Sequence, residues 1–282
     1  MKIIITKLLG FYLNILSWVA PKAAARRAFL ILCYPSRSGF KPHHKQFLDS
    51  SQKFNFNFND IYIQGYRWGN GSKKILFLHG WRSNSFHWKK YIEALPQDEY
   101  TIYAIDAPGH GASGGKILYV PLYSEVIKQF VNSLGSIDVI VSHSMGSFSA
   151  LHALYISPDL PVGRLVIMAS PGKGADFISF FRDALSLSDR TIKLLLKYFE
   201  KILGQPIDFF VAAKFASSIT IPGLIVHDKE DPEAPYYYAV QIHEAWIGSK
   251  LFVTNGLGHN LKSPMVVKEV CNFVMNKSEF VK

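Results

Sequence analysis

Residues 137–147, reading IDVIVSHSMGS, constrain this chain more than any other stretch. Ile137, Val139, Ile140 and Val141 form a short β-branched run, the pattern of a strand apolar on both faces. Such a strand needs covering layers above and below it. The run stops at Ser142-His143-Ser144-Met145-Gly146, and Phe148, Leu151, His152 and Tyr155 then recur at helical spacing. A buried strand, a tight turn with a serine at its tip and a following helix would lift the Ser144 hydroxyl above the sheet edge. The helix N-terminus beneath it favours developing negative charge. Strand and helix nearly touch at such a turn, so the residues two before and two after the serine must be small. Gly146 meets that demand, and Ser142 meets it less fully than a glycine.

The surrounding pattern predicts a fold with helices on both faces of a mainly parallel sheet. From Lys53 to Phe58 phenylalanine and asparagine alternate, Asn59-Asp60 makes a turn, and Ile61 to Trp68 returns as the partner strand. Apolar strands follow at 75–78, 101–105, 137–141, 165–168, 222–226 and 251–254, separated by helix-length connections. Between Pro171 and Pro222 lie about fifty residues without a strand pattern, longer than an ordinary connection. Phe177, Phe180 and Phe181, and then Ile192, Leu195, Leu196 and Phe199, have helical spacing there. The expected division is a basic helical appendage at 1–53, a core at 54–171 and 221–282, and a helical cap at 172–220 that lines a pocket.

Charge separates the appendage from the core. Of the net +10 of these 282 residues, +8 lies in residues 1–53, where nine bases face Asp49 alone. The nearly neutral remainder offers no footprint for nucleic acid. In the first helical stretch Thr6, Gly10, Asn14 and Ser17 form a narrow polar stripe beside a wide apolar face. Lys7 and Asn14 interrupt the run, which is short for a spanning helix and lacks a signal-peptide cleavage site. Two readings stand level: a helix lying on an anionic membrane surface, or one packing on its own domain. Cys33 and Cys271 show no pairing pattern and read as buried thiols, so a cytoplasmic chain with peripheral contact at the inner membrane surface is expected.

Three further loops carry chemistry-bearing residues. After strand 75–78 comes His79-Gly80-Trp81, where a glycine permits close backbone approach and the Trp81 amide can join that of Met145 around an oxyanion. His79 reads as orienting that loop. After strand 222–226 comes HDKEDPEAP, with four carboxylates; Asp231 is the candidate to orient a histidine, with Asp228 the runner-up. Of ten histidines, His259 stands in a glycine-punctuated loop after the last strand, while His43, His44, His87 and His243 read as solvated. Residues 111–116 fail as a phosphate loop, since His110 and Ile117 stand where glycine and Ser or Thr are required. The His227 cluster lacks a second metal ligand at zinc spacing, so no metal is expected.

The order Ser144, Asp231, His259, each after a strand, resembles the α/β-hydrolase superfamily from about Ile61 onward. DAPGHGAS at 106–113 is similar to that family's strand-four loop, in which the aspartate and histidine are structural. Ser142 stands where the family usually has glycine, and Asp228 where glycine commonly follows the histidine. The resemblance is strongest to esterases, lipases and acyl hydrolases. It implies a catalytic triad of Ser144, Asp231 and His259, an oxyanion hole of the Trp81 and Met145 amides, a covalent acyl-enzyme and no cofactor. The expected substrate is a small ester with an apolar or lipid-like acyl group; amides or carbon–carbon bonds would use the same machinery. The competing expectation is a catalytically silent protein of this fold that binds a ligand or partner.

Overall fold

A computed structural model describes residues 2–37 and 39–276; positions 1, 38 and 277–282, assigned above to the appendage and the core, lie outside the described residues. The chain divides into two compact units, Met1–Tyr34 with Lys173–Val211, and Pro35–Gly172 with Ala212–Lys282. These are not the three parts expected. The expected appendage is split, its first helices grouping with the expected cap and its last with the sheet.

The larger unit is built on an eight-stranded sheet. Its strands are β1 (Gln52–Phe58), β2 (Ile61–Trp68), β3 (Lys73–Leu78), β4 (Tyr100–Ile105), β5 (Ile137–His143), β6 (Val162–Met168), β7 (Gly223–Asp228) and β8 (Ser249–Thr254). They lie in the order β1-β2-β4-β3-β5-β6-β7-β8, antiparallel at the first two pairings and parallel from β4 onward. Asn59 and Asp60, both at positive φ, make the two-residue turn between β1 and β2, as the twist of paired strands favours. The alternating phenylalanines of β1 explain its register. Phe54 faces Gly65, whose missing side chain leaves room for the ring, and Phe54 and Phe56 stack on Phe130.

Alternate residues of each strand face opposite helical layers. Ile75, Phe77, Val139, Val141, Val166, Leu224 and Val226 form one core with Leu48 of α3 (Pro42–Asp49), Trp88, Tyr91 and Ile92 of the 85–94 segment that includes α4 (Lys89–Ala94), and Val266 and Val270 of α11 (Pro264–Val274). The other layer holds α5 (Val120–Ser133), α6 (Met145–Ile156), α9 (Ala212–Ala216) and α10 (Tyr237–Ala245). Phe47 stacks on Trp68, which ties α3 to the sheet rather than to the helices before it. Six parallel strands therefore bring their C-terminal ends to one rim.

The smaller unit contains α1 (Lys2–Val19), α2 (Pro21–Leu32), α7 (Gly174–Leu185) and α8 (Asp189–Leu203). Pro21 sits in the first turn of α2, where its missing amide is no loss. Ser188 caps α8 and Gly204, at φ +71°, ends it. Gly10 is packed so closely on the Leu185 carbonyl that any side chain there would overlap it. Phe29 of α2 meets Tyr198 and Phe199 of α8 edge-on. Cys33 of this unit and Cys271 of the sheet unit are both free, buried thiols, pushed up by burial to about 12 and about 11.

Candidate active site

Ser144 joins the end of β5 to the start of α6 at φ 52° and ψ −120°, a backbone conformation costing a non-glycine residue about 1–3 kcal/mol. Neighbouring bonds hold it there. The Ser144 amide donates to the Met168 carbonyl at 2.8 Å, and the Phe148 amide donates to the Ser144 carbonyl at 3.1 Å. Ser147 Oγ lies 3.1 Å from the Met168 amide, from which it accepts. A methyl group on Gly146 would stand 2.5 Å from the Leu78 carbonyl oxygen, so only glycine fits two residues after the serine. Ser142 fits two residues before it because its buried hydroxyl turns sideways and donates to the Val166 carbonyl at 2.9 Å.

His259 Nε2 lies 2.9 Å from Ser144 Oγ, and His259 Nδ1 lies 2.8 Å from Asp231 Oδ2 and 3.1 Å from Oδ1. A carboxylate can only accept, so Nδ1 carries the proton and Nε2 is left to accept from the serine hydroxyl. Asp231 Oδ1 also accepts from the amides of Glu233 and Ala234. Burial works to raise the Asp231 pKa, but the His259 bond and these two amides outweigh it and hold the carboxyl below its ordinary range. Asp228 has other partners. It accepts from Thr254 Oγ1 at 2.6 Å, from the Leu257 amide at 3.0 Å and from the Glu230 amide, stitching the end of β7 to the loop that carries His259. Those bonds likewise lower its pKa against the opposing effect of burial.

The loop after β3 faces the same serine. A methyl on Gly80 would stand 2.8 Å from Ser144 Cβ, so the main chain entering Trp81 passes close by the hydroxyl-bearing carbon. His79 accepts from the Ala107 amide at Nε2, which leaves Nδ1 to donate to the Gly80 carbonyl at 2.8 Å. His110 accepts from the Arg82 amide at Nε2 and donates from Nδ1 to the Pro108 carbonyl. Asp106 takes bonds from Ser85, Tyr66 and the Ala112 amide. These residues shape the loop and none reaches Ser144. Met145 is the first residue of α6, so its amide has no acceptor within the helix.

Three residues near the site have roles not read from sequence. His143 Nε2 donates to the His259 carbonyl at 2.8 Å and so ties the elbow to the histidine loop. Its ring packs 4.8 Å from that of His87, which is therefore not the solvated residue expected. Burial pushes His143 down to about 4. His227 donates to the Ala234 carbonyl at 2.7 Å and holds the loop around Asp231. Glu233 brings an exposed carboxylate 3.8 Å from His259 Nε2. The one signal for His143 was a polar side chain at the end of a buried strand, which must find a partner. Among the described residues no group of three or more His, Cys, Asp or Glu side chains is arranged to hold a metal ion.

Parts of this chain are similar to known proteins. An esterase of Mycobacterium tuberculosis is 33% identical over 110 residues, covering 38% of this chain and 36% of the relative. The pimeloyl-(acyl-carrier protein) methyl ester esterase of Wigglesworthia glossinidia brevipalpis is 26% identical over 104 residues, covering 36% and 39%. The chain thus spans less than two fifths of the length of these curated relatives. Among solved structures, a bromoperoxidase from Bacillus anthracis shares 19% identity with a TM-score of 0.63 over 80% of this chain and 99% of that one. The Est1E protein of Butyrivibrio proteoclasticus, with ferulic acid bound, shares 18% with a TM-score of 0.63 over 79% and 98%. These two are likenesses of fold. The model of the alpha/beta hydrolase family matches residues 75–269, over half the chain and the whole span from the Gly80 loop to His259, and the chain belongs to that family.

Proposed function

We propose that this chain is a serine hydrolase that cleaves carboxylic esters with an apolar acyl group. Ser144 is the nucleophile, His259 the general base and then acid, Asp231 the carboxylate that orients it, and the Trp81 and Met145 amides the oxyanion hole. The observation that carries the reading is the unbroken chain of contacts from Asp231 through His259 to Ser144, at 2.8 and 2.9 Å. An ester is favoured over an amide by the relatives named as esterases.

In the first half-reaction His259 Nε2 takes the Ser144 proton as Oγ bonds to the ester carbonyl carbon. The carbonyl oxygen becomes an anion held by the two amides. Collapse breaks the ester bond, and the imidazolium returns its proton to the departing alcohol. Water then repeats the sequence on the acyl-enzyme: His259 takes its proton, the hydroxyl adds to the acyl carbon, and Ser144 leaves with the proton from Nε2. Asp231, ionised throughout, stabilises the imidazolium in both halves.

A fluorophosphonate probe tests the assignment. Labelling of the wild type and its loss in Ser144→Ala is the expected result, together with hydrolysis across a series of p-nitrophenyl esters of graded acyl length. A folded wild type that neither labels nor hydrolyses any ester of the series would overturn it in favour of a ligand- or partner-binding member of the fold.

A further inference from the structure

The helix α1 is packed inside out. Its polar stripe, together with Leu13, is the side that meets the rest of its unit. Asn14 Nδ2 donates to the Ser186 carbonyl, while its Oδ1 accepts from the Ser188 amide and from Thr191 Oγ1. Lys7 Nζ donates to Ser186 Oγ and the Asp183 carbonyl, and Arg190 donates to the Ser17 carbonyl. Gly10, Leu13 and Ser17 are buried. The opposite face carries Ile5, Leu8, Phe11, Tyr12, Ile15 and Trp18, each 40–72% exposed. Their spacing of three and four residues makes one continuous apolar stripe along the helix. A soluble surface does not normally carry a stripe of this kind without an occupant.

Cations sit beside it. The Arg190 guanidinium lies 4.2 Å above the Trp18 ring and that of Arg27 lies 5.5 Å from the Tyr12 ring. Lys22 and Arg26 are exposed on the adjoining α2. Aromatic rings with guanidinium groups over their faces, beside aliphatic side chains, suit the headgroup level of a bilayer. Like charges argue against a second copy of the same face, which would bring Arg26, Arg27 and Arg190 together with their counterparts. No helix among the described residues is long and apolar enough to cross a membrane, and the Lys7 and Asn14 anchors hold α1 along its length. Those facts fit a helix that lies in the interface.

We infer that the exposed face of α1 docks onto an anionic lipid bilayer, its apolar stripe entering the boundary between headgroups and acyl chains while the arginines beside it meet the lipid phosphates. Adsorption through this face does not depend on the chemistry proposed at Ser144.

Sedimentation with vesicles of equimolar phosphatidylglycerol and phosphatidylcholine, at low ionic strength, tests it on the full chain. The wild type is expected to co-sediment, less so at high salt or with phosphatidylcholine alone. Phe11→Ser with Trp18→Ser should lower partitioning on the order of tenfold at an unchanged melting temperature. Arg26→Glu with Arg27→Glu keeps the stripe and tests the charges; it should lower binding to the anionic vesicles by at least about tenfold. Failure of the wild type to bind, or either pair binding as the wild type does, overturns the proposal. So does a dimer in light scattering that the Phe11 and Trp18 changes abolish while vesicles bind nothing.

Discussion

Asp228 and Asp231 stand three residues apart at the end of the same strand, yet their neighbours give them different work. Asp231 faces His259 Nδ1, while Asp228 is turned toward Thr254 and Leu257. Spacing in the chain leaves both open, because Asp228 ends β7, Asp231 lies three residues past it, and both are buried; only the direction of the side chain separates them. Two substitutions read the difference. Asp231→Asn should keep the fold and lower kcat by about 10³–10⁴, since an amide no longer stabilises the imidazolium or its tautomer. Asp228→Asn should retain most of kcat and instead lose about 1–3 kcal/mol of stability, because its amide group confronts donors where an acceptor is needed. Ester turnover and urea midpoints measured on both variants check the pair, and equal losses of turnover would refute the division. Ser142 shows the same dependence on direction. In sequence it departs from the glycine usual in the family, and in space its hydroxyl has a carbonyl partner that makes the departure harmless.

At the level of elements, the strands and most helices were legible because their signals are local. The β-branched run of β5, the alternation in β1 and the capped, amphipathic α8 each carry their own pattern. The polar stripe of α1 was equally plain, but which way it would face was not. A narrow polar stripe turns inward only when partners await it, and those partners lie over 170 residues away at 183–191. Asn14 is the hinge pin of that contact. Asn14→Leu should leave the Ser188 amide, the Thr191 hydroxyl and the Ser186 carbonyl without their partner, at about 1–3 kcal/mol. Hydrogen exchange in α1 should quicken by about tenfold or more while β3 and β5 keep their protection. Unchanged exchange in α1 would mean that the helix is held by something other than this clamp.

The whole molecule carries a pH dependence in its sheet unit. His79, His143 and His152 are pushed down to about 4 and His110 to about 3, in each case chiefly by burial, while unfolded histidine titrates near 6.5. Between about pH 6.5 and 4 the unfolded chain therefore binds protons that the folded chain refuses, so stability falls with acidification across that window. Each fully responding histidine contributes a slope of about 1.4 kcal/mol per pH unit. Asp228 and Asp231, depressed in the fold, add stability above the unfolded carboxylate range and lose it as pH falls further. Urea midpoints taken from pH 7.5 down to 5 should drop steadily, well before carboxylates titrate. A flat profile over that range would contradict the burial of these rings.

By itself the sequence determined the sheet, its coverage by helices, the turn at Ser144 and the loop at Gly80. Those features rest on periodicity and on glycines where backbones nearly touch, and both can be read from neighbouring residues. Only the tertiary structure decided that Asp231 rather than Asp228 meets His259, that His143 holds the histidine loop, and that α1 and α2 group with residues 173–211. Each of those outcomes is a pairing across a long stretch of chain, set by the direction in which a buried polar side chain finds its partner. Composition and spacing carry no record of that direction.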